Sequence, residues 1–311
     1  MTQYSKLQEK DILKILRKYN LTQIGYESIE ESLGNTNYLV RTAQNHYILT
    51  IFETEYIRAR NLSRLLYLLE KYEFPTTRIR KLANGDVITR HQGKPTLLKP
   101  YIVGLVVEKL DEDMISKVGA AMASLHEIPS PDYLPDQLAY GLETFPRVLD
   151  KGINLEYENW LGQRYDFLME TIPSGLPRGL IHGDVFYDNV LFDGKKFKAL
   201  IDFEEACQYY KVFDLGMAVV GLCTEGSKII LPKVRSLVKG YHTIRMLEGA
   251  EKEILQLFVE YAAIALSSWR FWKYNIDTPI AELSQKHWEM VNISKAARAI
   301  PDEKFMNVVF S

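Results

Sequence analysis

Leu180-Ile181-His182-Gly183-Asp184-Val185-Phe186-Tyr187-Asp188-Asn189-Val190-Leu191-Phe192 sets a polar cluster (His182, Asp184, Asp188, Asn189) between two apolar runs. A further apolar run, Ala199-Leu200-Ile201, ends in Asp202-Phe203, and Asp193-Gly194-Lys195-Lys196 supplies turn residues between the runs. The pattern predicts two short strands joined as a hairpin, with Asn189 just before it, Asp202 just after it, and the two brought close together. A carboxylate base, an amide oxygen and a second carboxylate on one small scaffold suit a hard cation with oxygen ligands. Phosphoryl transfer uses that set: metal ions on the phosphates, and a carboxylate that accepts the proton of the attacking hydroxyl. Each piece alone also reads as an ordinary turn or helix cap; their order and spacing favour the chemical reading.

His-Gly-Asp followed after four residues by Asn189, and then Ile201-Asp202-Phe203, resembles the catalytic and metal-binding segments of the aminoglycoside phosphotransferase and choline kinase superfamily. The resemblance implies an α+β, protein-kinase-like fold of two lobes. Residues 1–101 would form a small antiparallel-sheet lobe that binds nucleotide, and residues 102–311 a mainly helical lobe with the catalytic loop and acceptor site. It implies ATP as donor and Mg2+ as cation, Asp184 as catalytic base, and Asn189 and Asp202 as metal ligands. Asp214, in Val212-Phe213-Asp214-Leu215-Gly216, and His182 would support the catalytic loop. Within the superfamily, Gly34-Asn35-Thr36-Asn37-Tyr38, Thr50, Ala206-Cys207 and Trp269-Arg270-Phe271-Trp272 are similar to the type II homoserine kinases. That implies phosphorylation of homoserine to O-phosphohomoserine. Choline or ethanolamine, amino-sugar or aminoglycoside acceptors remain alternatives, as does a nucleotide-binding regulator without turnover.

A chain of 311 residues, 47% apolar, can bury a large core. A net charge of −2 gives no general pull toward nucleic acid or an anionic membrane. Cys207 and Cys223 lack metal-ligand spacing and suit a reducing cytoplasm. The first ten residues are polar, unlike a signal peptide. No apolar run approaches the roughly 20 residues of a membrane-spanning helix. The expected partner is a small molecule bound to a monomer or homodimer.

Earlier in the chain, Leu7 to Leu16 carries an apolar helical stripe, and Gln23–Ile29, Asn37–Arg41 and His46–Phe52 read as strands. Ser32–Asn37 reads as a polar loop, and the resemblance places Gly34, Asn35 and Thr36 over the nucleotide phosphates. Thr50 stands where most of the superfamily carries a phosphate-binding lysine. A helix is expected from about Tyr56 to Tyr72, a hairpin turning at Asn84-Gly85-Asp86, and a strand over Thr96–Ile102. The resemblance makes this last strand a hinge, with Lys99 and Tyr101 among the nucleotide contacts. Helices follow over Met114–Leu125 and Leu155–Thr171.

An amino-acid acceptor needs a cation for its carboxylate and acidic groups for its ammonium. Arg270 is the candidate for the carboxylate, against a reading as a surface arginine. Glu204 or Glu205 is a candidate for the ammonium, against a reading as the acidic start of a helix. Tyr187, Tyr209, Tyr210 and Trp272 offer aromatic faces to a cation.

Overall fold

Apolar residues recurring along Asn35–Thr42 (β2) and His46–Phe52 (β3) give the amino-terminal sheet its buried face. The computed structural model describes residues 5–29, 35–53 and 55–311. They fall into two units, Met1–Gly104 with Lys198–Glu204, and Leu105–Phe197 with Glu205–Ser311.

The first unit runs α1 (Glu9–Arg17), β1 (Gln23–Ile29), β2, β3, α2 (Tyr56–Lys71), β4 (Thr89–His91) and β5 (Lys94–Pro100). Its sheet is antiparallel with order β1-β2-β3-β5-β4. Ile12, Ile15 and Leu16 of α1 pack with Tyr38, Val40, Leu49, Ile51 and Leu98 of the sheet, while α2 buries Leu62, Leu65, Leu66 and Leu69.

Two expectations are corrected here. Asn35, Thr36 and Asn37 are strand residues opposite Phe52, Ile51 and Thr50, not a loop; Ser32 to Gly34 lies outside the described residues. The hairpin expected at Asn84-Gly85-Asp86 is only a turn, closed by Leu82 N–H on the Asp86 carbonyl at 2.8 Å. The strand-joining turn is Gln92-Gly93, with φ of 49° and 82°. Positive φ at both central positions gives the twist that a two-residue hairpin requires.

The second unit contains β6 (Leu105–Val106), α3 (Glu112–His126), α4 (Leu155–Thr171), β7 (Arg178–Ile181), β8 (Val190–Asp193) and the start of β9 (Lys196–Leu200), whose end lies in the first unit. Then come β10 (Cys207–Tyr210), α5 (Lys211–Leu222), β11 (Thr224–Glu225), β12 (Lys228–Ile229), α6 (Leu231–His242), α7 (Gly249–Phe271), α8 (His287–Ala299) and α9 (Asp302–Val309). Helix starts follow local chemistry: Asp111 caps α3 by accepting the Met114 N–H at 2.9 Å, and Asn154 caps α4 through the Tyr157 N–H at 3.0 Å. Helix α5 is buried almost all round and is the central helix of the unit.

Close helix approach rests on glycines. A Cβ on Gly119 of α3 would collide with the Leu237 carbonyl of α6, and one on Gly240 of α6 with the Ser116 carbonyl of α3. Gly240→Ala must therefore push two backbones apart. It is expected to cost about 3 kcal/mol or more, read from denaturant unfolding; a loss under about 1 kcal/mol would contradict this packing.

The loop before α4 is organised by one carboxylate. Buried Glu158 accepts the N–H groups of Lys151, Gly152, Ile153 and Asn154 at 2.7–3.0 Å. Burial works to raise its carboxyl, but the four amides outweigh burial and hold it below the usual carboxylate range. A lowered folded pKa stabilises fully above the unfolded value of about 4.3, and that stability is lost as pH falls through the folded value. Glu158→Gln should thus be less stable than the parent by about 1–3 kcal/mol at neutral pH, with the gap closing in acid. A gap of constant size from pH 7 to pH 3 would refute the assignment.

Candidate active site

Strand β7 pairs antiparallel with β10 and delivers the chain to His182. There the backbone leaves the sheet, and the His182 and Gly183 N–H groups need new acceptors. Asp214 of α5 supplies them. Its fully buried carboxylate accepts His182 N–H at 2.9 Å, Gly183 N–H at 2.8 Å and His126 Nε2 at 3.1 Å. Burial works to raise the Asp214 carboxyl, yet these donors and the nearby histidines hold it below the ordinary value. The Tyr140 hydroxyl donates to the Gly183 carbonyl from the other side. Gly183 has φ of 86°, and a Cβ there would press on the Glu205 carbonyl at 2.9 Å. A Cβ on Gly221 of α5 would strike the Val185 carbonyl, so α5 packs directly against the loop.

The sequence expectation that Asp214 and His182 support this loop thus has a concrete form. His182 is fully buried, and its Nδ1 accepts the Asp184 N–H at 3.2 Å. Asp184 is half-buried. The Asn189 side-chain amide donates to the Asp184 carbonyl at 2.9 Å and to Asp184 Oδ2 at 3.1 Å. The loop therefore returns on itself, fixing the carboxylate while leaving it an acceptor.

Asp202 belongs to the first unit. It is exposed with φ of 64°, a left-handed conformation uncommon outside glycine. Its neighbours are anchored: Leu200 N–H donates to the Pro75 carbonyl at 3.1 Å, and the Phe203 ring sits edge-on to Phe74 with centroids 5.9 Å apart. Glu204, on a short 3-10 turn, accepts a hydrogen bond from the Asn35 amide. Its carboxylate thus braces the segment carrying Asp202. Strained backbone that its surroundings hold in place is a pointer to function.

The other nucleotide candidates also lie in the first unit. Thr36 Oγ1 donates to Glu53 Oε1 at 2.5 Å, and Glu53 in turn pairs with Lys94. Buried Thr50 donates to Asn37 Oδ1 at 2.6 Å. The side chains of Asn35, Thr36 and Thr50 thus meet Glu204, Glu53 and Asn37. Lys99 is half-buried opposite Ile48, while exposed Tyr101 gives its N–H to the His46 carbonyl at 2.9 Å. Gly34 lies outside the described residues.

Among the acceptor candidates, Arg270 donates to Glu289 Oε2 at 3.0 Å and to the Lys286 carbonyl at 3.2 Å. In this structure it joins the end of α7 to α8. Trp272 is half-buried, and the Arg147 guanidinium carbon lies 4.0 Å from its ring centroid. Nothing in Phe145-Pro146-Arg147 marks this contact in the sequence. Tyr187 borders a cavity of about 640 Å³ with Phe186, Gly221, Glu225, Lys233 and Glu289, so the aromatic candidates Tyr187 and Trp272 are placed but given no substrate contact.

Comparison with known proteins places this arrangement. A model of the phosphotransferase enzyme family matches residues 25–247. The homoserine kinase of Rhizobium meliloti (strain 1021) is 26% identical over 301 residues, covering 92% of this chain and 91% of that protein. The homoserine kinase of Chelativorans sp. (strain BNC1) is 30% identical over 275 residues, 85% of each. Among solved structures, a microcompartment-associated aminopropanol kinase superposes with a TM-score of 0.72 at 19% identity, covering 96% of this chain and 99% of that one. An amicoumacin kinase in complex with AMP-PNP, Ca2+ and Ami gives a TM-score of 0.74 at 15% identity, covering 96% and 97%. These likenesses show the protein-kinase-like α+β fold, and the chain belongs to the phosphotransferase enzyme family, as a small-molecule kinase.

Proposed function

We propose that the chain transfers the terminal phosphoryl group of ATP to the side-chain hydroxyl of homoserine, giving O-phosphohomoserine and ADP. The observation that carries the phosphoryl-transfer reading is Asp184, half-buried on a loop whose backbone is clamped by Asp214 and whose carboxylate is steadied by Asn189. The homoserine reading is supported by the relatives of that name, which align with 85–92% of this chain.

In this reading Asp184 accepts the hydroxyl proton as the substrate oxygen bonds to the γ-phosphorus and the bond to the bridging oxygen of ADP breaks. Most of the acceleration comes from positioning and charge rather than from the proton transfer itself. Asn189 and Asp202 are the proposed magnesium ligands. An amide oxygen and an exposed carboxylate are the hard donors such a cation takes, and the anchored, left-handed Asp202 is a backbone held in place for its side chain. The bound cation would neutralise phosphate charge. Thr36, Asn35 and Gly34 are assigned to the nucleotide side through their backbone, and the segment of Lys99 and Tyr101 to the adenine end. The expected compartment is the reducing cytoplasm; both cysteines are buried free thiols, and no helix among the described residues is long and apolar enough to cross a membrane.

Asp184→Asn should lower kcat with homoserine by about 100-fold or more while the KM for magnesium-ATP changes little. Asp202→Ala should mainly raise that KM. Undiminished turnover of Asp184→Asn on homoserine sinks the assignment, and turnover confined to another acceptor in a panel of amines and sugars replaces the substrate.

Thr50→Lys tests whether this strand lacks its lysine by design. An ammonium at this buried site would lose hydration and leave Asn37 without its donor. The variant is expected to lose about 3 kcal/mol of stability and to gain nothing in kcat/KM for ATP. A clear rise in kcat/KM would mark the site as one that had lost its phosphate grip.

A further inference from the structure

Arg147 ends the 3-10 turn Leu142–Arg147, whose approach is tied to the catalytic loop. Two residues before the turn, the Tyr140 hydroxyl holds the Gly183 carbonyl, and the Leu142 N–H donates to the Tyr261 hydroxyl at 2.8 Å. At the far end the guanidinium rests over Trp272, the first residue of a widened helical turn, Trp272–Asp277. Such π-type turns are rare and recur at functional sites.

What separates Arg147 from its peers is that no carboxylate lies within ion-pair distance of it among the described residues. In the second unit the other buried or half-buried arginines are Arg164, Arg245 and Arg270. Each meets a glutamate: Glu260 at 3.0 Å, Glu251 at 2.9 Å and Glu289 at 3.0 Å. Arg147 Nε and Nη2 have no hydrogen-bond partner among the described residues, as is also true of Nε and Nη2 of the more deeply buried Arg164, but Arg147 is only half-buried and has no glutamate beside it. Asp277 exerts its charge on Arg147 from nearby, but its carboxylate is engaged by Lys273 at 2.7 Å and by the Thr278 hydroxyl at 3.0 Å. Burial lowers the guanidinium's affinity for its proton, although arginine stays charged at any working pH. A partly desolvated cation without an ion-pair partner is less favourable than one to which a ligand brings the anion. A planar carboxylate matches the planar donor fork, and the Trp272 face holds that fork in one orientation.

We propose that Arg147, braced on Trp272, binds the carboxylate of the acceptor and so makes the site select an amino acid over the corresponding amine. This rests on the reading of homoserine as substrate. The role expected of Arg270, which Glu289 occupies, passes to a residue on a different segment. The nucleotide phosphates are the other anions of the reaction, and the test must tell them from the carboxylate.

The probes are L-homoserine and 3-aminopropan-1-ol, which has the same hydroxyl-to-amine chain without the carboxylate. Kinetics of the parent, Arg147→Gln and Arg147→Lys are compared with both acceptors, together with the KM for ATP and the melting temperature. In Arg147→Gln the ratio of kcat/KM for homoserine over aminopropanol should fall about 30-fold. The loss should appear chiefly as a raised homoserine KM, with the ATP KM steady. Arg147→Lys should recover part of the ratio, because it keeps the charge and loses the fork. An unchanged ratio overturns the proposal, whether both acceptors decline together or neither does. A rise in the ATP KM instead assigns Arg147 to phosphate and also overturns it. A parent enzyme inactive on homoserine removes the substrate reading itself, and the Arg147 proposal with it. A parent active on homoserine with an indifferent Arg147 removes only the latter.

Discussion

One carboxylate, that of Asp214, receives the two backbone N–H groups that β7 would otherwise leave without acceptors at its end. Leaving buried groups of this kind unpaired costs on the order of 1–3 kcal/mol each, so the loop and the helix that carries Asp214 stand or fall together. The carboxylate is itself the end of a chain of contacts. Arg245 pairs with Glu251 and donates to the Tyr241 hydroxyl at 3.1 Å; Tyr241 meets His126 Nδ1 at 2.7 Å, and His126 Nε2 meets Asp214. Helices α3, α5, α6 and the start of α7 are therefore joined through polar atoms as well as through their apolar faces, and the reacting side chain inherits their rigidity. An error of an ångström in such a site is enough to lose most of its catalytic advantage.

In the first unit the constraint is conformational. Asp202 occupies left-handed backbone that a residue with a Cβ adopts at a cost on the order of 1–3 kcal/mol. The cost is offset by neighbours that cannot move with it: Phe203 against Phe74, Leu200 on Pro75, and Glu204 on Asn35. Asn35, which looks like a loop residue, thus works as a brace.

Much of this was legible in the chain. Leu155–Thr171, Gln23–Ile29 and His46–Phe52 occupy the bounds that their periodicity and flanking residues indicate, because apolar spacing and turn residues are local signals. The support role of Asp214 followed from a resemblance and gained its physical content only when its donors were seen. The failures have one cause. Asn35 to Asn37 are small and polar, yet they pair with β3 as strand, and their side chains hydrogen-bond to Glu204, Glu53 and Thr50. Arg270 sits among aromatics in the sequence but is taken by Glu289, while Arg147 is unremarkable in sequence and meets Trp272 only through the fold. Pairings of polar groups across the chain leave no periodicity to read.

The clamp on the catalytic loop has a consequence for how such an enzyme diversifies. Asp214 and Tyr140 grip the loop through main-chain atoms of His182 and Gly183, and Gly221 meets it at the Val185 carbonyl. The Asp214 and Tyr140 contacts are made to main-chain atoms and not to the side chain of Tyr187. The main-chain path of the loop is thereby insulated from substitution at Tyr187. A lineage, or a combinatorial library, can vary that side chain without first disturbing the backbone on which Asp184 is mounted.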